Sequence, residues 1–138
     1  MDVWEVSAMS GESVFWDDLA DDLEDPEFLR EFVLESIRVK TVDAIINALD
    51  DARAAASLSK AELARAAAME PAAARRLLGA GSVNPTLRTV SELAAALGLR
   101  LTLEPLGSGG KALSTALVSG KVDDLAELKD AVEQFDRG

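Results

Sequence analysis

The residues with the clearest chemical potential are four cations in the middle of the chain: Lys60, Arg75, Arg76 and Arg88. A guanidinium group can donate two hydrogen bonds to O6 and N7 of a guanine, or it can hold a phosphate. Arg75 and Arg76 are therefore candidates for base contact, and Lys60 and Arg88 are candidates for phosphate contact. The alternative is that all four are solvated charges on an alanine-rich surface.

The composition offers few side chains of the types that catalyse reactions. The 138 residues include no Cys and no His, which removes thiolate nucleophiles, disulfides and the usual zinc ligands. Acidic pairs at 17–18 and 21–22 can hold a hard cation, but adjacent carboxylates on an exposed helix are usually solvated. The glycines of 107–110 lack the Lys-Ser/Thr ending of a phosphate-binding loop. We expect a protein that is not an enzyme and uses no metal or cofactor.

Two short helices must position the central cations. Ser59 and Glu62 have the spacing of a capping box, which predicts a helix start at Ser59. The small residues of 66–68 permit a close turn before a second helix over 71–78, after which Gly79 and Gly81 can take the positive φ that ends a helix. This order of helix, small-residue turn and helix is that of a helix-turn-helix.

A third helix and a strand are predicted next. Asn84 or Thr86 caps the helix, and Gly98 ends it. Three leucines at 99, 101 and 103 then alternate with polar residues. Alternation of this kind predicts a half-buried strand over Leu99–Leu103.

Four of these segments together resemble the Xre (Cro/C1-type) helix-turn-helix family: LSKAELA (58–64), RRLL (75–78), NPTLRTV (84–90) and AAALGL (94–99). The upstream segment DPEF (25–28) and the strand-like 99–103 make the chain similar to the HigA-like antitoxins of bacterial toxin–antitoxin modules. The resemblance covers residues 25–105. It implies an all-α fold: a five-helix lambda-repressor-like domain with an N-terminal helical extension, a short strand after the domain and a C-terminal helical segment.

The resemblance also implies that the helix over 71–78 enters the major groove of double-stranded DNA. The chain departs from the family at residues 71–74, Pro-Ala-Ala-Ala. The methyl groups there can touch a thymine methyl but cannot read the donor and acceptor patterns of the bases. A homodimer, formed through the 99–103 strand or the C-terminal helix, would read a palindromic operator. The implied DNA-contact residues are Ser59, Lys60, Pro71, Ala72, Ala73, Arg75, Arg76, Asn84, Thr86 and Arg88.

The charge is unevenly distributed along the chain, whose net charge is −11. Residues 1–42 carry twelve acidic against three basic side chains, residues 43–100 carry six against seven, and residues 101–138 carry seven against four. The near-neutral centre can approach DNA while the acidic extensions attract a basic partner such as an RNA-cleaving toxin. The alternative is that the acids serve solubility alone.

Four regions follow from these patterns. They are a tail over 1–14, an acidic helical extension over 15–41, the DNA-binding domain over 42–105, and a linker with one or two helices over 106–138. In the extension, Asp25 is expected to cap a helix that ends near Lys40, and a separate helix over 42–56 opens the domain. The candidate toxin-contact residues are Phe15, Trp16, Leu19, Phe28 and Phe32, although aromatic residues at helical spacing usually pack into their own core.

Neither a membrane-spanning run nor a signal peptide is recognisable, so a cytoplasmic protein is expected. The function implied is that of a DNA-binding antitoxin that neutralises a cognate RNase toxin and represses its own operon. Two alternatives stay open. One is a stand-alone repressor of the Xre family, and the other is a protein-interaction module that does not bind DNA.

Overall fold

The computed structural model describes residues 18–79 and 84–136, and all regular structure in these ranges is helical. The predicted all-α class is therefore confirmed. None of the described helices is long and apolar enough to cross a membrane. The helices are α1 (18–22), α2 (Pro26–Ala55), α3 (Lys60–Ala66), α4 (Pro71–Gly79), α5 (Leu87–Ala96), α6 (Gly110–Ser119) and α7 (Leu125–Glu133), followed by a 3-10 helix (Gln134–Asp136).

The described chain divides into two compact units. Unit 1 comprises residues 18–40 and 105–136, and unit 2 comprises residues 41–79 and 84–104. Helix α2 contributes to both because the division falls after residue 40. Unit 1 carries fourteen acidic against six basic side chains, whereas unit 2 carries seven of each. The excess negative charge of the described residues therefore lies in unit 1.

Helix α2 begins where the sequence predicts and continues beyond its predicted end. An Asp25 carboxylate oxygen accepts the Glu27 amide at 3.0 Å, and Pro26 occupies the first helical position, where its missing N–H costs nothing. The predicted end near Lys40, with a separate helix from Val42, is wrong because α2 is continuous to Ala55. Residues 27–55 contain no Gly or Pro, so nothing local stops the helix.

The core of unit 1 joins the first half of α2 to the C-terminal segment, which forms two helices, α6 and α7. Leu29 and Val33 of α2 are fully buried in one cluster with Leu128 and Val132 of α7. Leu113 of α6 also belongs to this cluster. Burial of a Leu or Val contributes about 1.5–3 kcal/mol each, so these contacts stabilise the unit.

Helix α6 ends against α2. Arg30 donates from Nε to the Leu117 carbonyl at 2.9 Å and from Nη2 to the Val118 carbonyl at 3.3 Å, which satisfies carbonyls that the last helical turn leaves without partners. Gly120 follows with φ +74, and a Cβ there would lie 2.6 Å from the Cβ of Pro26. The close approach of α2 therefore requires a glycine at this position.

Unit 2 packs α3, α4 and α5 against the second half of α2. The described part of this unit has four helical segments, so the expected five-helix count is not confirmed. Ala68, in the turn between α3 and α4, takes φ +54, a left-handed conformation that is unusual for a residue with a Cβ. The buried core residues are Ile46, Leu49, Leu63, Ala67, Leu77, Leu78, Val90, Leu93 and Ala94.

The predicted helix boundaries in this unit are largely confirmed. Ser59 and Glu62 form the capping box. Of the two predicted caps for α5, Thr86 is the one used, because its Oγ1 accepts the Thr89 amide at 3.1 Å. Gly98 follows α5 with φ +76, in the left-handed conformation that ends a helix.

Two predictions in this unit need correction. Gly79 is the last residue of α4 and does not take a positive φ, and Gly81 lies outside the described residues. The strand over Leu99–Leu103 is not confirmed, since no described residue is in a strand and this segment has no regular secondary structure. A strand needs a neighbour to accept and donate its ladder hydrogen bonds, and the described chain provides none.

Candidate nucleic-acid interface

One side of helix α4 is open to solvent. Its exposed residues are Ala72, Arg75, Arg76 and Gly79, which recur at the i, i+3, i+4 and i+7 spacing of one helical face. We call these four residues the α4 face. Pro71 and Ala73 flank it and are half-buried. The opposite side of α4 is held in the core by Ala74, Leu77 and Leu78.

The two guanidinium groups of the α4 face make no hydrogen bond or ion pair with any other described residue. Arg53 and Arg88 of unit 2 differ in this respect. Arg53, for example, donates to an Asp50 carboxylate oxygen at 2.9 Å and to the Leu58 carbonyl at 2.7 Å. No other described residue occupies the donors of Arg75 and Arg76, which suit an anion or a base edge.

Helix α4 lies directly on α3. Small buried residues lie on both helices, Ala64 on α3 and Ala74 on α4, and Ala67 at the C-terminal cap of α3 is also buried. Small side chains allow two backbones to approach closely, and a close-packed contact resists displacement. The α4 face is thus presented by a supported helix, which suits a rigid binding surface.

A third cation lies beside the α4 face. The Lys60 Nζ is 3.7 Å from the position that a Cβ on Gly79 would take, which brings the ammonium close to the C-terminal end of α4. The carbonyl groups at a helix C-terminus carry partial negative charge that attracts a cation. Gly79 was missed as a surface residue by the sequence analysis, although its i+7 spacing from Ala72 was a usable signal.

Several predicted phosphate ligands are partly committed to local bonds. The Ser59 amide donates to Glu62 Oε1 at 3.0 Å, and the hydrogen bonds from Ser59 lower the pKa of Glu62. Thr86 uses its hydroxyl to cap α5, whereas Asn84 is exposed. The Ser59 amide is therefore unavailable to a phosphate while the capping box is intact.

Arg88 remains accessible at the start of α5. Its side chain is 87% exposed and forms an ion pair with Glu92, with an Nε–Oε1 distance of 3.0 Å. An exposed pair of this kind is worth at most about 1 kcal/mol, so a phosphate can replace Glu92 at little cost. The amides of Leu87 and Arg88 belong to the first helical turn, which has no intrahelical acceptors for them.

The candidate toxin-contact residues lie elsewhere, and those in the described ranges face the core of unit 1. Leu19 is 6% exposed. Phe28 and Phe32 are half-buried against the same core, with stacked rings whose centroids are 6.0 Å apart. Phe15 and Trp16 lie outside the described residues.

Unit 1 also has two open clefts beside residues 120–124, with volumes of about 420 and 320 Å³. Every charged side chain that lines them is solvent-exposed, so neither cleft encloses a polar group that could orient a small ligand. The described residues include no group of three or more potential ligands placed to hold a metal ion.

Comparison with protein-family models, with curated proteins and with solved structures finds no match to this chain. Its functional interpretation therefore depends on the residues and their geometry.

Proposed function

We propose that the chain is a DNA-binding antitoxin in which α3 and α4 act as a helix-turn-helix. In this proposal α4 enters the major groove with its exposed face towards the bases, and the chain represses its own operon as a homodimer on a palindromic operator. The observation that carries the proposal is the α4 face. It combines two guanidinium groups that no other described residue engages with two residues too small to obstruct close approach.

The charge distribution supports this assignment of surfaces. DNA binding requires cations that neutralise phosphates, and the Arg75–Arg76 pair lies in the unit with no net charge. Glu70 is exposed at the beginning of α4 and reduces the local positive potential, so the site has modest electrostatic strength. We infer that affinity for an operator depends strongly on both arginines, because they are the two cations of the α4 face.

The antitoxin role is supported by the acidic surface of unit 1. An RNA-cleaving toxin must attract a polyanion and is therefore basic, and an acidic partner is steered towards it and competes with RNA. The half-buried Phe28 and Phe32 supply little exposed apolar area. Toxin binding is thus assigned chiefly to the exposed carboxylates of this unit.

DNA binding is tested by fluorescence anisotropy with a duplex from upstream of the chain's own gene. Replacing Arg75 and Arg76 together by Ala should weaken binding at least about tenfold, since one bidentate arginine contact is worth about 1–3 kcal/mol. The slope of log affinity against log salt should also become shallower by about 0.9 for each phosphate that the variant no longer neutralises. Circular dichroism should show unchanged folding, because both side chains are exposed.

A matched control removes the same amount of charge from unit 1. Arg38 and Lys111 are both exposed and neither belongs to the unit that carries the α4 face. Their joint replacement by Ala should leave DNA affinity within about twofold, because exposed charges that make no contact with the duplex are largely screened by salt. Equal losses of affinity in the two double variants would remove the α4 face from the proposed interface.

Toxin binding is tested by titrating the chain with the product of the neighbouring gene. Binding to both the duplex and this protein supports an antitoxin. Binding to the duplex alone supports a stand-alone repressor, and binding to the protein alone supports an interaction module.

A further inference from the structure

A short run of exposed leucines follows α5 in unit 2. Leu99, Leu101 and Leu103 are 47%, 39% and 100% exposed, and none of them belongs to the core of the unit. If the backbone is extended, alternation places all three on one face. A contiguous exposed apolar surface of this kind marks an interaction site.

The polar residues of the same run make it complementary to itself. Arg100, Thr102 and Glu104 alternate with the leucines and would share the opposite face of a strand. When two copies are placed antiparallel about a twofold axis at Thr102, Arg100 of each copy faces Glu104 of the other, and Thr102 faces Thr102. Opposite charges and paired threonines are favourable cross-strand neighbours, and the axis produces each charge pair twice.

We propose that residues 100–104 of two copies pair as antiparallel strands centred on Thr102 and thereby form a homodimer. Leu101 of each copy then faces Leu103 of the other, so these leucines cover one another on a single side of the two-stranded ribbon. Pairing also supplies backbone hydrogen-bond partners to residues 100–104, which make no backbone hydrogen bond with any other described residue. The proposal does not depend on DNA binding.

A competing register centred on Leu101 is less complementary. It places Arg100 opposite Thr102 and leaves Glu104 opposite Gly98. Gly98 has φ +76, which is not a strand conformation, so the ladder cannot continue there. In the Thr102 register Arg100 and Glu104 face each other across the two copies, whereas in the Leu101 register neither faces an opposite charge.

Single cysteines distinguish the two registers, because the natural chain contains no Cys. Residues directly opposite in an antiparallel pair have Cα atoms about 4.5–5.5 Å apart, within the range of about 4.4–6.8 Å that a disulfide needs. The full chain carrying Thr102→Cys should therefore form a disulfide-linked dimer under mild oxidation. The matched Leu101→Cys variant should remain mostly monomeric on a non-reducing gel, since its two cysteines are offset by two residues along the strand.

A charge exchange tests the same contact without oxidation. In sedimentation experiments, Arg100→Glu should raise the dimer dissociation constant on the order of tenfold by placing like charges opposite each other. Adding Glu104→Arg to that variant should restore dimerisation. Both side chains are exposed, and circular dichroism provides the control for folding.

Three outcomes would overturn the proposal. One is a natural chain that stays monomeric at about 100 μM, a concentration well above the dissociation constant of a specific dimer. The second is stronger cross-linking of Leu101→Cys than of Thr102→Cys, which would assign the Leu101 register. The third is a double charge variant that dimerises no better than Arg100→Glu alone.

Discussion

Leu93→Ala and Leu87→Ala form a matched pair of truncations on helix α5. Leu93 is 0% exposed in the core of unit 2, whereas Leu87 is 76% exposed in the first turn of the same helix. Both substitutions remove the same carbon atoms and introduce a better helix former. The difference between their free energies of unfolding therefore measures burial alone.

The expected magnitudes follow from these exposures. Each buried methylene contributes about 0.8 kcal/mol, so truncating Leu93 loses about 2.4 kcal/mol before any cavity is counted. The cavity left in a close-packed core raises the expected loss to about 3–5 kcal/mol. Only about a quarter of Leu87 is buried, so the same arithmetic gives about 0.6 kcal/mol with no closed cavity.

Urea unfolding of the full chain, followed by far-ultraviolet circular dichroism, measures both losses. With a slope of about 1 kcal/mol per molar urea for a unit of this size, Leu93→Ala should lower the midpoint by about 3–5 M or leave unit 2 unfolded in water. Leu87→Ala should lower it by less than about 1 M. Similar midpoints for the two variants would refute the packing of α5 in the core.

Two further predictions concern protonation and crowding. The hydrogen bonds from Ser59 hold the pKa of Glu62 below its ordinary value of 4.5. The ionised carboxylate therefore stabilises the fold fully above pH 4.5. This stabilisation is lost as the pH falls through the lowered pKa of the folded state. An NMR titration should show the pKa of Glu62 rising part of the way towards 4.5 in Ser59→Ala, because this variant keeps the donating amide and loses only the hydroxyl. An unchanged pKa would show that the Ser59 hydroxyl does not help to lower it. Gly120→Ala and Gly98→Ala both place Ala at a φ of about +75, which costs about 1 kcal/mol of stability in each case. Only Gly120→Ala also brings its Cβ to 2.6 Å from the Cβ of Pro26, the first residue of α2. This overlap should cost a further 1–3 kcal/mol, roughly. Equal decreases in melting temperature would argue against that close approach.

The sequence alone determined the features of this fold that depend on neighbouring residues. Asp25 caps α2, Ser59 with Glu62 caps α3, Thr86 caps α5, and Gly98 ends α5, as expected. Each of these contacts spans only a few residues, so the chemistry that forms it is present in the local sequence. The α-helical class follows for the same reason, because caps, stops and apolar periodicity agree along most of the described chain.

Only the tertiary structure decided which predicted elements join, which surfaces face solvent and which segments remain unpaired. The absence of Gly and Pro from residues 27–55 permits α2 to continue through residue 41, but only the folded chain shows that its two halves pack in two different cores. Leu19 is buried in a cluster that also contains residues of α6 and α7. The leucines of 99–103 have the alternation of a strand, but hydrogen bonding in a strand requires a second segment, and whether a chain supplies one depends on its folded arrangement.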